Sequence, residues 1–389
     1  MNKDKERLKI STSYKTLKSS SRRKKSKVIG EGGFGCVLSP NVTCKLRNGS
    51  IVHPNNKLIS KLMDNDDFNK EYHEIRQIMS KIKSIPNYKS YFLIDIHECK
   101  LGPLTSHDLS VINKGCKYFK EASADYIHNK TNSLLMQYAG KRVDVFIKQA
   151  LLNVSARKNI LHIHDKLVKL TSKGIKHLNL IGIYHCDIKL QNILYHRKKL
   201  RLIDWGFSYI HQTHTPITAI PKNFKRYPLH FNMPITVCMF SDSILSDINM
   251  YISDKLSNRQ SIDFYEFGKY VWNIVVENRY GHYSLLESNY SFLRPFHETK
   301  NFDQFAIDIY SKVLERYTSI TTQTFHSYHY FNEFYLNNVD IIGIAACYVS
   351  FMRLINNNNY SKLLWRYYET YLERISMDDF ISDIKEITL

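Results

Sequence analysis

No apolar run in this 389-residue chain reaches the ~18 to 20 residues that a membrane-spanning helix needs. The nearest, Ile341 to Met352, carries Tyr348 and Ser350 and reads as a buried helix. The first residues lack the apolar core of a secretory signal, so a protein that stays in the cytoplasm is expected. No C-x-x-C pair occurs among Cys36, Cys44, Cys99, Cys116, Cys186, Cys238 and Cys347, which argues against structural zinc and for reduced thiols in a cytosolic setting. His162 and His164 point to different sides of a helix and make no metal pair. No internal repeat is present, which excludes solenoid and propeller arrays. Acidic residues are scarce: 36 Asp and Glu stand against 55 Lys and Arg, for a formal net charge of +19. Residues 1–27 carry eleven of those basic side chains and no apolar periodicity. They read as a disordered tail, either simply solvated or able to bind nucleic acid or an anionic membrane surface, or to serve as a nuclear address.

Chemistry concentrates in His185-Cys186-Asp187-Ile188-Lys189-Leu190-Gln191-Asn192, followed by Leu202-Ile203-Asp204-Trp205-Gly206. Phosphoryl transfer from ATP asks a protein mainly to position groups and neutralise charge. Asp187 is suited to orient the attacking hydroxyl and accept its proton. Asn192 and Asp204 are suited to hold Mg2+ on the phosphates, and Lys189 reaches the γ-phosphate from the same loop. Upstream, Ile29-Gly30-Glu31-Gly32-Gly33-Phe34-Gly35-Cys36-Val37 fits G-x-G-x-x-G-x-V. Glycines let a hairpin backbone approach a triphosphate, and Val37 is placed to pack on the adenine. A dinucleotide site would open a helix after the glycines, whereas Cys36-Val37-Leu38 and Pro40 favour a second strand.

With these motifs the chain resembles eukaryotic-type serine/threonine protein kinases over about residues 28–280. The resemblance implies ATP and Mg2+ as cofactors, and an α+β, two-lobed fold with a small β-rich N-lobe (about 28–136) and a large helical C-lobe (about 141–389). It implies that Lys61 contacts the α- and β-phosphates and pairs with a glutamate on the helix Phe68–Ile82, with Glu74 preferred over Glu71. Met136 takes the gatekeeper position, with backbone groups of Gln137 and Ala139 on the adenine edge. Asp263, five residues before Gly268, matches the buried helix aspartate that anchors the loop around Asp187. Lys189 points to serine and threonine as acceptors.

The pattern departs in three places. Cys186 replaces the arginine that commonly receives an activation-loop phosphate, which implies activity without that switch. Trp205 replaces a phenylalanine, and its indole N–H is a candidate for fixing the segment. Asn232-Met233-Pro234-Ile235 keeps a proline where A-P-E is usual but lacks the glutamate, and residues 236–262 suggest an inserted helix or loop. The phrase Phe231-Asn232-Met233-Pro234 is similar to that of protein kinases of large cytoplasmic DNA viruses, which implies a viral protein in host cytoplasm or virion. Arg197, Lys198, Lys199 and Arg201 lie close in sequence to the Asp187 loop and suggest acidic protein substrates. Two other readings stand beside this one: a small-molecule kinase, and a kinase-fold scaffold that binds nucleic acid through its basic tail.

Overall fold

The computed structural model describes residues 25–32, 35–151, 156–211, 219–294, 300–355, 361–369 and 372–387. Residues 1–24 of the basic segment, with Gly33 and Phe34, lie outside them. The fold is α+β, with a β-rich N-terminal part and a helical C-terminal part. It divides into two compact units: the chain up to Phe68 with Ile96–Tyr138, and Asn69–Asp95 with the chain from Ala139 onward. The division differs from the expected one in assigning residues 69–95 to the second unit.

The first unit is built on strands β1 (Lys27–Gly32), β2 (Gly35–Ser39), β3 (Cys44–Leu46), β4 (Ile51–Val52), β5 (Leu58–Asp64), β6 (Ile96–Leu101) and β7 (Thr131–Gln137). They form one antiparallel sheet in the order β1-β2-β5-β7-β6-β3-β4. After β5 the chain enters α1 (Asn65–Ile82), whose Phe68, Ile75, Ile78 and Ile82 are buried at helical spacing. The polar excursion before β7 folds as α2 (Ser106–Gly115) and α3 (Ala124–Lys130). Thr105 and Asp108 cap α2 reciprocally, satisfying two of its orphan backbone N–H groups. Ile112, Phe119 and Ile127 from the excursion bury against Leu38, Val42 and Leu62 of the sheet region.

In this unit the expectation of reduced thiols fails. Cys36 is joined to Cys116, and Cys44 to Cys99, with Cα–Cα distances of 5.8 and 5.4 Å. All four cysteines are fully buried. Spacing along the chain could not show this, because partners 80 and 55 residues apart meet only after the sheet forms and the excursion packs on it. Cys44 and Cys99 face each other diagonally across the β3–β6 ladder, where Cys44 pairs with Leu101 and Leu46 with Cys99.

The second unit opens with β8 (Lys141–Arg142), α4 (Val143–Leu151) and α5 (Ala156–Leu170). A π-helical turn at Thr171–Ile175 continues α5 into α6 (Lys176–Leu180). Four short strands follow: β9 (Ile183–Tyr184), β10 (Ile193–His196), β11 (Lys199–Leu202) and β12 (Tyr209–Ile210). A buried 3-10 turn, Ile235–Phe240, leads into α7 (Asp242–Ser257), so residues 236–262 do contain a helix. Next come α8 (Phe264–Arg279), α9 (Tyr283–Leu293) and α10 (Phe302–Tyr317), with the Trp272 indole of α8 donating to Asp303 of α10 at 3.0 Å. A small hairpin of β13 (Thr318–Ser319) and β14 (Thr324–Phe325) precedes α11 (Ser327–Tyr330) and α12 (Leu336–Ile355). Then α13 (Ser361–Glu369) and α14 (Met377–Lys385) follow. Ile341, Ile342, Ile344, Ala345, Tyr348 and Val349 are all buried, so residues 338–349 of α12 lie in the core on every side. No helix among the described residues is long and apolar enough to cross a membrane.

Alkylation of the denatured, unreduced protein should label Cys186, Cys238 and Cys347 alone, and labelling after reduction should reach all seven cysteines. Removing Cys44 and Cys99 together should cost about 2–5 kcal/mol of stability in denaturant titration. Seven labelled cysteines before reduction would contradict both expectations.

Candidate functional site

In the first unit the glycine-rich segment forms the expected hairpin. Gly30 pairs with Val37, Glu31 with Cys36 and Gly32 with Gly35, and a register shift between Val28 and Gly30 leaves Ile29 unpaired and exposed. Gly35 has φ 145°, and a Cβ there would strike the Leu62 carbonyl, so only glycine fits. Gly30 is different: a Cβ would meet nothing closer than Val37 at 3.8 Å. The described protein does not demand glycine there. Glu31 accepts from the Lys117 backbone N–H at 2.5 Å, so the excursion holds the hairpin as the Cys36–Cys116 bond does. On β5, Lys61 sits opposite Val37 on one side and Leu134 on the other. Met136 lies in β7, paired with Ile59 and Ile96, and Gln137 closes that strand at an exposed position.

In the second unit, Asp187, Lys189 and Asn192 meet as expected. The Asp187 side chain is buried, and Lys189 Nζ donates to both its oxygens at 2.9 Å. Asn192 Nδ2 donates to Oδ2 at 2.8 Å and to the Asp187 carbonyl at 2.9 Å. A third donor was not foreseen: Asn232 Nδ2 reaches Asp187 Oδ1 at 2.9 Å. The Asn232-Met233-Pro234 phrase carried that signal, but only as a likeness without a role. Charge-assisted bonds on both oxygens fix the carboxylate in one rotamer.

The backbone around these groups is strained. Cys186 has φ 60° and Asp204 φ 66°, left-handed values that cost a non-glycine residue about 1–2 kcal/mol each. Asp340 of α12 holds the first of them. Its carboxylate accepts from the backbone N–H of His185 at 2.9 Å, from that of Cys186 at 2.8 Å, and from Asn179 Nδ2 at 2.8 Å. Close packing completes the contact: a Cβ on Gly343 would sit 2.8 Å from the Ile188 carbonyl oxygen. The anchor is therefore Asp340, and the assignment to Asp263 is wrong. Asp263 is exposed and caps α8, its Oδ1 accepting from the N–H groups of Tyr265 and Glu266. Both aspartates precede a helical glycine, but Asp263 caps the exposed start of α8, whereas Asp340 lies inside α12 in a fully buried stretch, where a carboxylate must find donors.

Asp204 is held from the other side. The Trp205 indole donates to the Leu93 carbonyl at 3.2 Å and packs edge-on between Phe92 and His185, at ring-centroid distances of 5.5 and 5.0 Å. Burial pushes the His185 imidazole below its ordinary pKa, so the ring is neutral. Nε2 donates to the Ile203 carbonyl at 2.9 Å, and Nδ1 accepts from the Asp187 N–H. Burial also raises the Cys186 thiol well above its usual range, which makes it inert as a nucleophile. Asp204 itself is exposed, and no described residue bonds its carboxylate.

The fit to Mg2+ follows from this donor set. Among the described residues no group of three or more His, Cys, Asp or Glu gathers for a metal. A magnesium ion that keeps waters and phosphate oxygens needs only one or two protein oxygens, a demand that Asp204 and Asn192 would be chemically suited to meet.

Other expected residues fare differently. Glu71 is 9% exposed, while Glu74 is half-buried with its carboxyl raised by burial, so burial ranks Glu71 as the carboxylate in greater need of a partner. The basic run spans the length of the β10–β11 hairpin: Arg201 pairs with Leu194, one pair from the Asn192 end, and Lys199 with His196 at the far end. Ile193–Leu202 is the pair next to Asn192, and His196–Lys199 is three pairs away, about 10 Å along the strands. Arg201 donates to the Lys89 carbonyl and Lys199 to Ser90 Oγ.

No protein-family model matches the chain, and none of the curated proteins compared with it matches.

Asp340→Ala strands two buried backbone N–H groups and should cost on the order of 3 kcal/mol. Asp263→Ala removes an exposed cap and should cost about 1 kcal/mol. Chemical denaturation of the two variants measures the difference, and equal losses would contradict the anchoring role of Asp340.

Proposed function

We propose that the chain is an ATP- and Mg2+-dependent serine/threonine protein kinase, its two units corresponding to the small and large lobes of that fold. The observation that carries this reading is the Asp187 carboxylate locked by Lys189, Asn192 and Asn232, with an exposed Asp204 in left-handed backbone on the same unit. Strain of this kind persists where function requires a fixed geometry.

Each unit supplies its own share. In the first, Gly30 and Gly35 give a hairpin backbone free to approach phosphates, while Lys61, opposite Val37, offers a cation to them. Met136 and Gln137 supply adenine contacts in this reading, and Ala139, the first residue of the second unit after them, supplies another. In the second, Asp187 orients the acceptor hydroxyl and takes its proton, and Lys189 neutralises charge on the group in transfer. Asn192 and Asp204 would hold Mg2+, which when bound draws electron density from the phosphate oxygens. The Trp205 bond to Leu93 and the inert Cys186 at the arginine position favour a loop ordered without phosphorylation.

Incubation with γ-phosphate-radiolabelled ATP and, in parallel, protein substrates, small alcohols or no acceptor tests the reading. Label on protein serine and threonine is expected; label on small alcohols alone, or none, overturns it. Asp204→Ala should lower turnover at least about a hundred-fold, the scale of removing one transition-state charge contact. Its thermal midpoint should stay near that of the wild type. Full turnover in this variant would remove the metal assignment.

A further inference from the structure

Asn232 is fully buried, and its amide can face only one way. Nδ2 spans two acceptors, Asp187 Oδ1 at 2.9 Å and the Ile188 carbonyl at 3.2 Å. Turned over, the amide would set its oxygen against both. The amide oxygen therefore faces His230 Nδ1, 3.0 Å away. That nitrogen must carry a hydrogen, which in a neutral ring leaves Nε2 bare. Burial pushes His230 below the ordinary imidazole range, so the neutral ring is the resting form.

The position of His230 is itself built. On the connection between α8 and α9, the backbone brackets the preceding residue: Leu229 N–H donates to the Arg279 carbonyl, and His282 N–H donates to the Leu229 carbonyl, both at 2.9 Å. Gly281 between them has φ 46°, and a Cβ there would strike the Leu229 carbonyl. The His282 ring lies edge-on against His230 at 4.3 Å between centroids.

From these contacts we infer that His230 is a positioning residue for phosphoryl transfer, acting through the Asn232 amide to hold Asp187 Oδ1 in line with the acceptor hydroxyl. The inference rests on the kinase reading above and adds to it a residue that touches neither nucleotide nor metal. A neutral His230–Asn232 pair supplies a donor to Asp187 without adding charge. Lys189, which also bonds Oδ1, is thereby left able to serve the transferring group. Misplacing a reacting group by about 1 Å costs on the order of a hundred-fold in rate, whereas ground-state binding of ATP is unaffected.

The test uses the full chain, with kcat, KM for ATP and thermal midpoint measured for wild type, His230→Leu, His230→Asn and His230→Gln. Asparagine places its amide N–H where the ring Nδ1–H stands, glutamine places it one bond further, and leucine removes it. Leucine and glutamine variants should lose at least about tenfold in kcat with KM for ATP within about twofold, and the asparagine variant should recover most of kcat. Wild-type kcat in the leucine variant, or equal losses in asparagine and glutamine variants, overturns the assignment. Should the leucine variant not fold, the asparagine–glutamine contrast decides alone. A wild-type enzyme that phosphorylates no acceptor fails the kinase reading itself, whereas an active wild type with a fully active glutamine variant fails only the positioning role.

Discussion

Three hydrogen bonds to one carboxylate set the geometry on which the candidate site depends. Asp340 receives the N–H groups of His185 and Cys186 and the amide of Asn179, all inside a packed core. Those bonds hold Cys186 in left-handed backbone, and the turn it makes directs Asp187 toward Lys189, Asn192 and Asn232. Because residues 338–349 of α12 are buried, Asp340 has no solvent to satisfy it, so the anchor and the loop stabilise one another. Strain in the loop is thus offset by satisfied hydrogen bonds to the central helix.

Local pattern made much of this legible in advance. Strand–glycine–strand spacing gave the Gly30–Val37 hairpin, the apolar spacing of Ile75, Ile78 and Ile82 gave α1, and the order Asp187, Lys189, Asn192 gave the charged cluster. Each of these depends on neighbours within about a dozen residues, where backbone periodicity and side-chain chemistry read out directly.

What stayed hidden depends on contacts distant in sequence. Asp263 and Asp340 both precede helical glycines, and only the burial of α12 against the loop tells the anchor from a surface cap. Four cysteines pair because the sheet, and the helical excursion packed on it, bring them together, and their spacing carries no trace of it. Asn232 was read as part of a phrase, yet its amide reaches across 45 residues to Asp187.

The central claim is that the loops 185–192 and 202–206 form a rigid phosphoryl-transfer site built to hold magnesium on a nucleotide. A crystal structure with Mg2+ and a non-hydrolysable ATP analogue tests it most directly. The account predicts magnesium at about 2.1 Å from oxygens of Asn192 and Asp204, with Cys186 and Asp204 still left-handed and Asp340 still bonded to the loop. Nucleotide bound with its metal on neither residue would contradict it.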